Sequence, residues 1–370
     1  MFCYVMNVPR KLLLLTVGYG EGHNTAARAL AAVAEAKGWR VKVVDACAAS
    51  SPRLFALTRH FYQFCVRSAP WMWAITYAQT ETADWSTKAT APFLRKVTRY
   101  IQALLAEFQP DAVMCTYPLY GYMLDYLRSR GQTQVPYGMV VTDSLEISRP
   151  WMLTQADVVY LPDEYSLQLV HERYALPKAK LEALGFPVHP QFYGKTSSAE
   201  LPTCNNMRIV YGAHAPLARV KADIEMLLRL LPGCCITLLA GGRYRALKSL
   251  ASARVIVVKR TEKMVSLFEN SHLYIGKAGA ATVFEAYAMS LPIIINYALP
   301  GQEQGNLELL QIDQAGIAVS STAELKAAVW RLINDGAIVW SRVKNVMISL
   351  NRSYGAERII NDFEHRFLYE

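Results

Sequence analysis

The chain has 370 residues, 52% apolar and 19% charged, which excludes a disordered protein and allows two domains with separate cores. No apolar run reaches the roughly 18 residues that cross a bilayer. The seven scattered cysteines form no C-x-x-C pair or Cys/His cluster, so neither a disulfide framework nor a metal site is expected, and a reducing cytoplasm fits best. The net charge of +9 points to an acidic partner: nucleic acid, a phosphorylated ligand or an anionic membrane face.

Taken in chain order, apolar strand-like runs alternate with helical patterns. The first half reads as strands at 12–17 (LLLLTV), 41–45 (VKVVD), 112–116 (AVMCT), 137–142 (YGMVVT) and 157–161 (DVVYL), with helices including 24–37 and 93–107. The opening "KLLLLTVGYG" reads as a strand, not a signal peptide, because its apolar core is short and runs into glycines. The polar stretch 195–206 reads as an interdomain linker. The alternation then restarts at 207–211, 235–240, 254–258, 273–276 and 292–296, and "AERIINDFEHRFLYE" closes the chain as an amphipathic helix. The expected architecture is α/β, with two doubly wound domains. They span 1–195 and 196–353, and the helix 354–370 packs back on one of them.

Two glycine-rich turns follow strands, where open parallel sheets bind ligands. The first, "GYGEGH", has glycines at 18, 20 and 22 but a histidine in place of the third glycine of a dinucleotide fingerprint. His23 is then a spoiled cofactor site, a core histidine or a working residue. The second lies in "IGKAGAATVFEAYAMSLPIIINYALPGQEQGN". There Gly279, Ala280, Ala281 and Thr282 open a helix whose free N–H groups and dipole favour phosphate, and Lys277 adds a charge. Glu285 is placed to accept ribose hydroxyls, and Gln302, Glu303 and Asn306 suit a hydroxyl-rich sugar. A plain turn with a capping loop is the alternative, and no G-K-[ST] marks a Walker motif.

The stretch from "KRTEKMVSLFENSHLYIGKAG" to "PGQEQGN" resembles the donor half of the diacylglycerol glycosyltransferases of glycosyltransferase family 28. That family includes the monogalactosyldiacylglycerol synthases and the processive glucosyltransferases. "GYGEGH", "VVTDSLEISRPW" and "LGFPVHPQF" are similar to its other motifs in the right order. Two segments depart from it: no histidine lies in "SLEISRP", and "YGAHAP" (211–216), with His214, stands where the family has a glycine cluster.

The resemblance implies a glycosyltransferase-B fold, two Rossmann-like domains facing a cleft. It implies a metal-independent inverting transfer of a hexose from a UDP-sugar, the co-substrate, to a lipid hydroxyl such as that of 1,2-diacylglycerol. His23 is then the base or orients the acceptor hydroxyl, with Asp143 as the competing base or, alternatively, a turn cap. Gly22 joins the donor set, and Arg243 and Lys277 face the leaving diphosphate. N-acetylglucosamine transfer to a polyprenyl-linked or other glycolipid, a hydrolysing epimerase, and a non-catalytic nucleotide-sugar-binding protein are the alternatives.

The interval 53–100 carries ten aromatics and seven Lys/Arg against two acids. Trp71, Trp73 and Trp85 with Arg67 fit a segment lying on an anionic bilayer, giving a cytoplasmic, peripherally attached protein. The same aromatics also suit a core insertion. No RNA-module motif supports a nucleic-acid partner.

Overall fold

The computed structural model describes residues 9–69, 71–72, 75, 78–79, 92–174, 177, 180–301 and 303–368. The chain divides into two compact units, Met1–Pro190 with Tyr354–Glu370, and Gln191–Ser353.

Unit 1 holds β1 (Lys11–Thr16), α1 (Glu21–Ala36), β2 (Arg40–Asp45), α2 (Ala46–Ser50), α3 (Pro52–Ser68) and α4 (Pro92–Phe108). It continues with β3 (Ala112–Cys115), α5 (Leu119–Ser129), β4 (Tyr137–Val140), β5 (Val158–Leu161), α6 (Glu164–Tyr174) and β6 (Leu181–Ala183). The sheet is parallel in the order β2-β1-β3-β4-β5-β6. Because β1 is covered on both faces, it reads as unbroken leucine instead of an alternation. Leu13 and Leu15 pack with Val97 and Ile101 of α4. Leu12 and Leu14 pack with Ala29 and Leu30 of α1 and with the C-terminal helix.

That helix, Gly355–Phe367, crosses back onto unit 1. It buries Ile359, Ile360 and Phe363 in the core of α1 and β1. Two glycines permit the docking: a Cβ at Gly138 would sit 3.1 Å from the Phe363 ring, and one at Gly355 would sit 2.1 Å from the Phe186 carbonyl oxygen. Glu364 pairs with both Arg10 and Lys37.

Unit 2 holds β7 (Arg208–Gly212), α7 (Leu217–Leu230), β8 (Cys235–Leu239), α8 (Tyr244–Leu247), β9 (Val255–Val258), α9 (Met264–Glu269) and β10 (Leu273–Lys277). After these come α10 (Ala280–Ala288), β11 (Ile293–Tyr297), α11 (Gln304–Ile312), β12 (Gly316–Ala318) and α12 (Thr322–Leu350), with non-helical angles at Asn334–Ala337. The C-terminal helix of unit 1 is then α13. The sheet order is β12-β11-β10-β7-β8-β9, the doubly wound order of dinucleotide-binding folds.

All ten expected strands are present. The two unexpected ones, β6 and β12, have three residues each and lie at sheet edges, too short to show a periodicity. The stretch 195–206 is bound to unit 2 at its start. Ser197 donates from its amide to Met289 O at 2.6 Å, and buried Lys344 donates to the Ser197 hydroxyl at 2.6 Å and to the Ser198 carbonyl at 3.0 Å.

Candidate functional site

In each unit the strand order reverses direction once, and loops at the carboxyl ends on either side of that point come together. In unit 1 the point lies between β1 and β3, in unit 2 between β7 and β10. Helices α1 and α10 both start there behind a glycine N-cap, Gly20 and Gly279, which has no side chain to cap the first N–H groups.

The β1 loop is held from below. Asp45 at the end of β2 accepts the Gly18 N–H at 2.8 Å with one oxygen and the Ala48 N–H at 2.8 Å with the other. Asp45 is therefore a cap for α2 and a tether for the glycine loop, not a ribose ligand. Beyond the loop, a Cβ at Gly22 would meet nothing within 4 Å, so the start of α1 faces open space.

His23 sits in the first turn of α1, partly buried, with its Nδ1 3.0 Å from the Thr142 hydroxyl in the loop after β4. Tyr117, after β3, meets the ring edge-on at 5.4 Å between centroids, and Trp151 lies at 6.2 Å. Burial among these groups pulls the imidazole pKa down to about 4, outweighing a hydrogen bond to the Thr116 backbone. At pH 7 the ring is neutral. Asp143, buried, follows Thr142 in the same loop. The structure thus sets one candidate base in the first turn of α1 and the other in the loop after β4 whose Thr142 reaches it. Thr142, Tyr117 and Trp151 complete the setting. Thr142 and Trp151 lie in the "VVTDSLEISRPW" segment, where the sequence reading gave them no role of their own, and it missed Tyr117, whose only signal was its place after β3.

In unit 2 the turn after β10 is compact. A Cβ at Gly276 would lie 2.2 Å from the Tyr274 hydroxyl, and one at Gly279 would lie 3.0 Å from Lys277 Cε. Lys277 Nζ donates to Glu303 Oε1 at 2.5 Å, and the other Glu303 oxygen accepts the Leu299 N–H at 3.1 Å. Glu303 is buried and Lys277 partly exposed, so the ammonium is oriented by a carboxylate beneath it. Ala280, Ala281, Thr282 and Glu285 line the first turns of α10, each half-buried.

Arg243 donates to the Ala213 carbonyl at 3.2 Å and to that of Ala215, which stitches down the loop after β7. His214 projects from that loop. Packing around its ring and the charges of Lys277 and Arg243 hold its pKa well below the ordinary value. Asn306 is buried and donates to the Ala278 carbonyl at 3.0 Å, a support behind the turn, and its Oδ1 has no hydrogen-bond partner among the described residues.

Gln302, Trp73 and Trp85 lie outside the described residues, as does the side chain of Arg67. Trp71 is described and 65% exposed. It follows α3, whose Leu54, Leu57, Phe61 and Phe64 form an exposed stripe at steps of three and four residues. Arg53 and Arg59 are exposed beside the stripe, and no acidic residue occurs from 46 to 80. No helix of the described residues is long and apolar enough to cross a membrane. No group of three or more His, Cys, Asp or Glu among them is arranged to hold a metal ion.

Residues 23–188 match the family model of monogalactosyldiacylglycerol (MGDG) synthase. The processive diacylglycerol beta-glucosyltransferase of Bacillus subtilis (strain 168) is 25% identical over 374 residues, covering 96% of this chain and 95% of its own. That of Bacillus pumilus (strain SAFR-032) is 24% identical over 377 residues with the same coverage. Among solved structures, Acinetobacter baumannii MurG superposes with a TM-score of 0.61 at 15% identity, covering 96% of this chain and 100% of its own. These matches bear out the resemblance to the diacylglycerol glycosyltransferases and the glycosyltransferase-B fold of two Rossmann-like units.

Proposed function

We infer that this chain is a diacylglycerol glycosyltransferase of the family represented by its relatives and by the matching model. We further infer that it moves a hexose from a UDP-sugar to the free hydroxyl of 1,2-diacylglycerol with inversion. The observation that carries the reading is the convergence in unit 1 of a neutral His23 with the Thr142–Asp143 loop, while unit 2 offers an uncapped helix start beside Lys277.

The acceptor oxygen attacks the anomeric carbon as the bond from that carbon to the diphosphate oxygen breaks, and UDP leaves with the bonding pair. The acceptor proton passes to His23 or Asp143. His23 is suited by its neutral ring and by open space above Gly22. Charge building on the leaving diphosphate is met by the α10 N–H groups and Lys277, so the reading calls for no metal and no cofactor beyond the UDP-sugar. Glu285, one turn further along α10, is assigned to the ribose.

The α3 stripe supports a membrane-bound acceptor. Apolar side chains at helical spacing, flanked by arginines and free of acids, suit insertion at an anionic lipid surface. On this reading the protein sits peripherally at the cytoplasmic face, and diacylglycerol reaches unit 1 from the bilayer. The test is incubation with labelled UDP-glucose, UDP-galactose or UDP-N-acetylglucosamine and vesicles carrying diacylglycerol or a polyprenyl-linked acceptor, followed by separation of the lipids, with donor binding measured alongside. A labelled glycosyldiacylglycerol is expected from one UDP-hexose. Labelled product only on a polyprenyl-linked acceptor, or donor binding with no transfer, would overturn the assignment.

A further inference from the structure

The loop that carries Thr142 and Asp143 is clamped from beneath by a cluster the reaction itself does not use. Leu145 in this loop has φ +56°, a left-handed conformation that disfavours a branched side chain, and it is buried. Two tight turns surround it: the Glu146 N–H reaches the Ser144 carbonyl at 2.7 Å, and the Ile147 N–H reaches the Leu145 carbonyl at 2.8 Å. Such a shape persists only where the surroundings impose it.

Those surroundings come from the next strand. Asp163, just after β5, accepts the Ser166 N–H at 2.7 Å with Oδ1, as an N-cap does for the first turn of α6. Its Oδ2 has a different use. It accepts the Ser144 hydroxyl at 2.5 Å and the Ser166 hydroxyl at 3.0 Å. The Ser166 oxygen in turn accepts the Leu145 N–H at 2.9 Å. Ser144, Asp163 and Ser166 are all buried, so water does not compete for these bonds.

We propose that Asp163, through Ser144 and Ser166, is a positioning residue for sugar transfer: it holds Leu145 in the left-handed turn and so fixes Thr142 against His23 and Asp143 beside it. This rests on the reading that His23 and Asp143 serve the acceptor. An ordinary cap would need only Oδ1; here Oδ2 takes the Ser144 hydroxyl of the loop, and it also holds the Ser166 hydroxyl so that its oxygen meets the Leu145 N–H.

The test uses the full chain with Ser144→Ala and Asp163→Asn. Transfer to diacylglycerol is measured with donor concentration varied, alongside amide hydrogen exchange and thermal melting. The expected result is a fall in kcat of at least tenfold with the donor KM within twofold. Exchange over residues 141–148 should quicken at least tenfold, while unit 2 is unchanged. Should Asp163→Asn fail to fold, Ser144→Ala decides alone. Unchanged exchange over 141–148, or a lowered melting temperature with kcat per folded molecule intact, would overturn the proposal. If the unaltered chain transfers no sugar, the functional reading falls, and exchange over 141–148 still decides the clamp.

Discussion

Thr142 Oγ1 lies 3.0 Å from His23 Nδ1, joining residues 119 positions apart in the chain. The contact ties the loop after β4 to the first turn of α1 and sets the plane of a ring otherwise held by Tyr117 and Trp151. Removing the hydroxyl while keeping the shape, as in Thr142→Val, should lower kcat about tenfold, roughly 1.4 kcal/mol of barrier. Thr142→Ser should retain most activity. Steady-state transfer rates on vesicles check this, and equal rates for Val and wild type would show that the ring is held by packing alone.

The depressed pKa of His23 gives a pH dependence with a definite sign. Its folded pKa of about 4 lies below the ordinary 6.5, so the unfolded chain takes up the proton first as pH falls. Stability from this group is whole above pH 6.5 and declines between 6.5 and 4. His272, buried and lowered to about 4 by burial and by Arg208, acts in the same direction. Urea midpoints should fall as pH goes from 7 to 4.5, less steeply in His23→Gln. The acid limb of kcat/KM should lie below pH 5; a limb near 6.5 would exclude His23 in this environment as the base.

Lys277 and Glu303 separate stability from ligand affinity. Lys277→Met leaves a buried carboxylate with only the Leu299 N–H among the described residues, which costs about 1–3 kcal/mol because Lys277 is itself part-exposed. It should also weaken UDP binding at least tenfold. Adding Glu303→Gln should recover most of the stability but none of the affinity. Calorimetric UDP titration beside denaturant melts distinguishes the two effects; recovered affinity in the double variant would remove Lys277 from the phosphate site.

The return of α13 to unit 1 is a stability matter. Phe363 is fully buried over Gly138 and 4.8 Å from the Phe367 ring. Phe363→Ala should cost about 3–5 kcal/mol, read from denaturant unfolding of the whole chain. A loss under 1 kcal/mol would mean that the helix is dispensable to the core.

Much of this was legible in the sequence, for physical reasons. Central strands such as LLLLT and IIINY are covered on both faces and show as continuous apolar runs, whereas the edge strands LEA and GIA are too short to show anything. The second glycine turn was visible in part because a side chain at Gly276 would run into Tyr274. Partnership was not visible. Nothing in the spacing showed that Glu303 faces Lys277 instead of solvent, that Arg243 is engaged by carbonyls, or that Thr142 reaches His23. Those are choices of rotamer and sheet order, settled by packing between residues far apart in the chain.

The exposed stripe on α3 predicts binding to lipid. Leu57→Glu with Phe61→Glu adds two charges where the surface is 67% and 48% exposed, so folding should be nearly unaffected. Cosedimentation with anionic vesicles should fall at least tenfold, and salt should weaken the binding of the unaltered chain. Undiminished binding by the double variant would move the lipid contact elsewhere.

The most direct test of the whole account measures UDP binding and glycosyl transfer to diacylglycerol side by side in the unaltered chain, His23→Ala and Asp143→Asn. The account predicts UDP affinity within twofold in all three, with transfer reduced at least a hundredfold in whichever variant lacks the base. Full transfer by both variants, or loss of UDP binding in step with transfer, would contradict it.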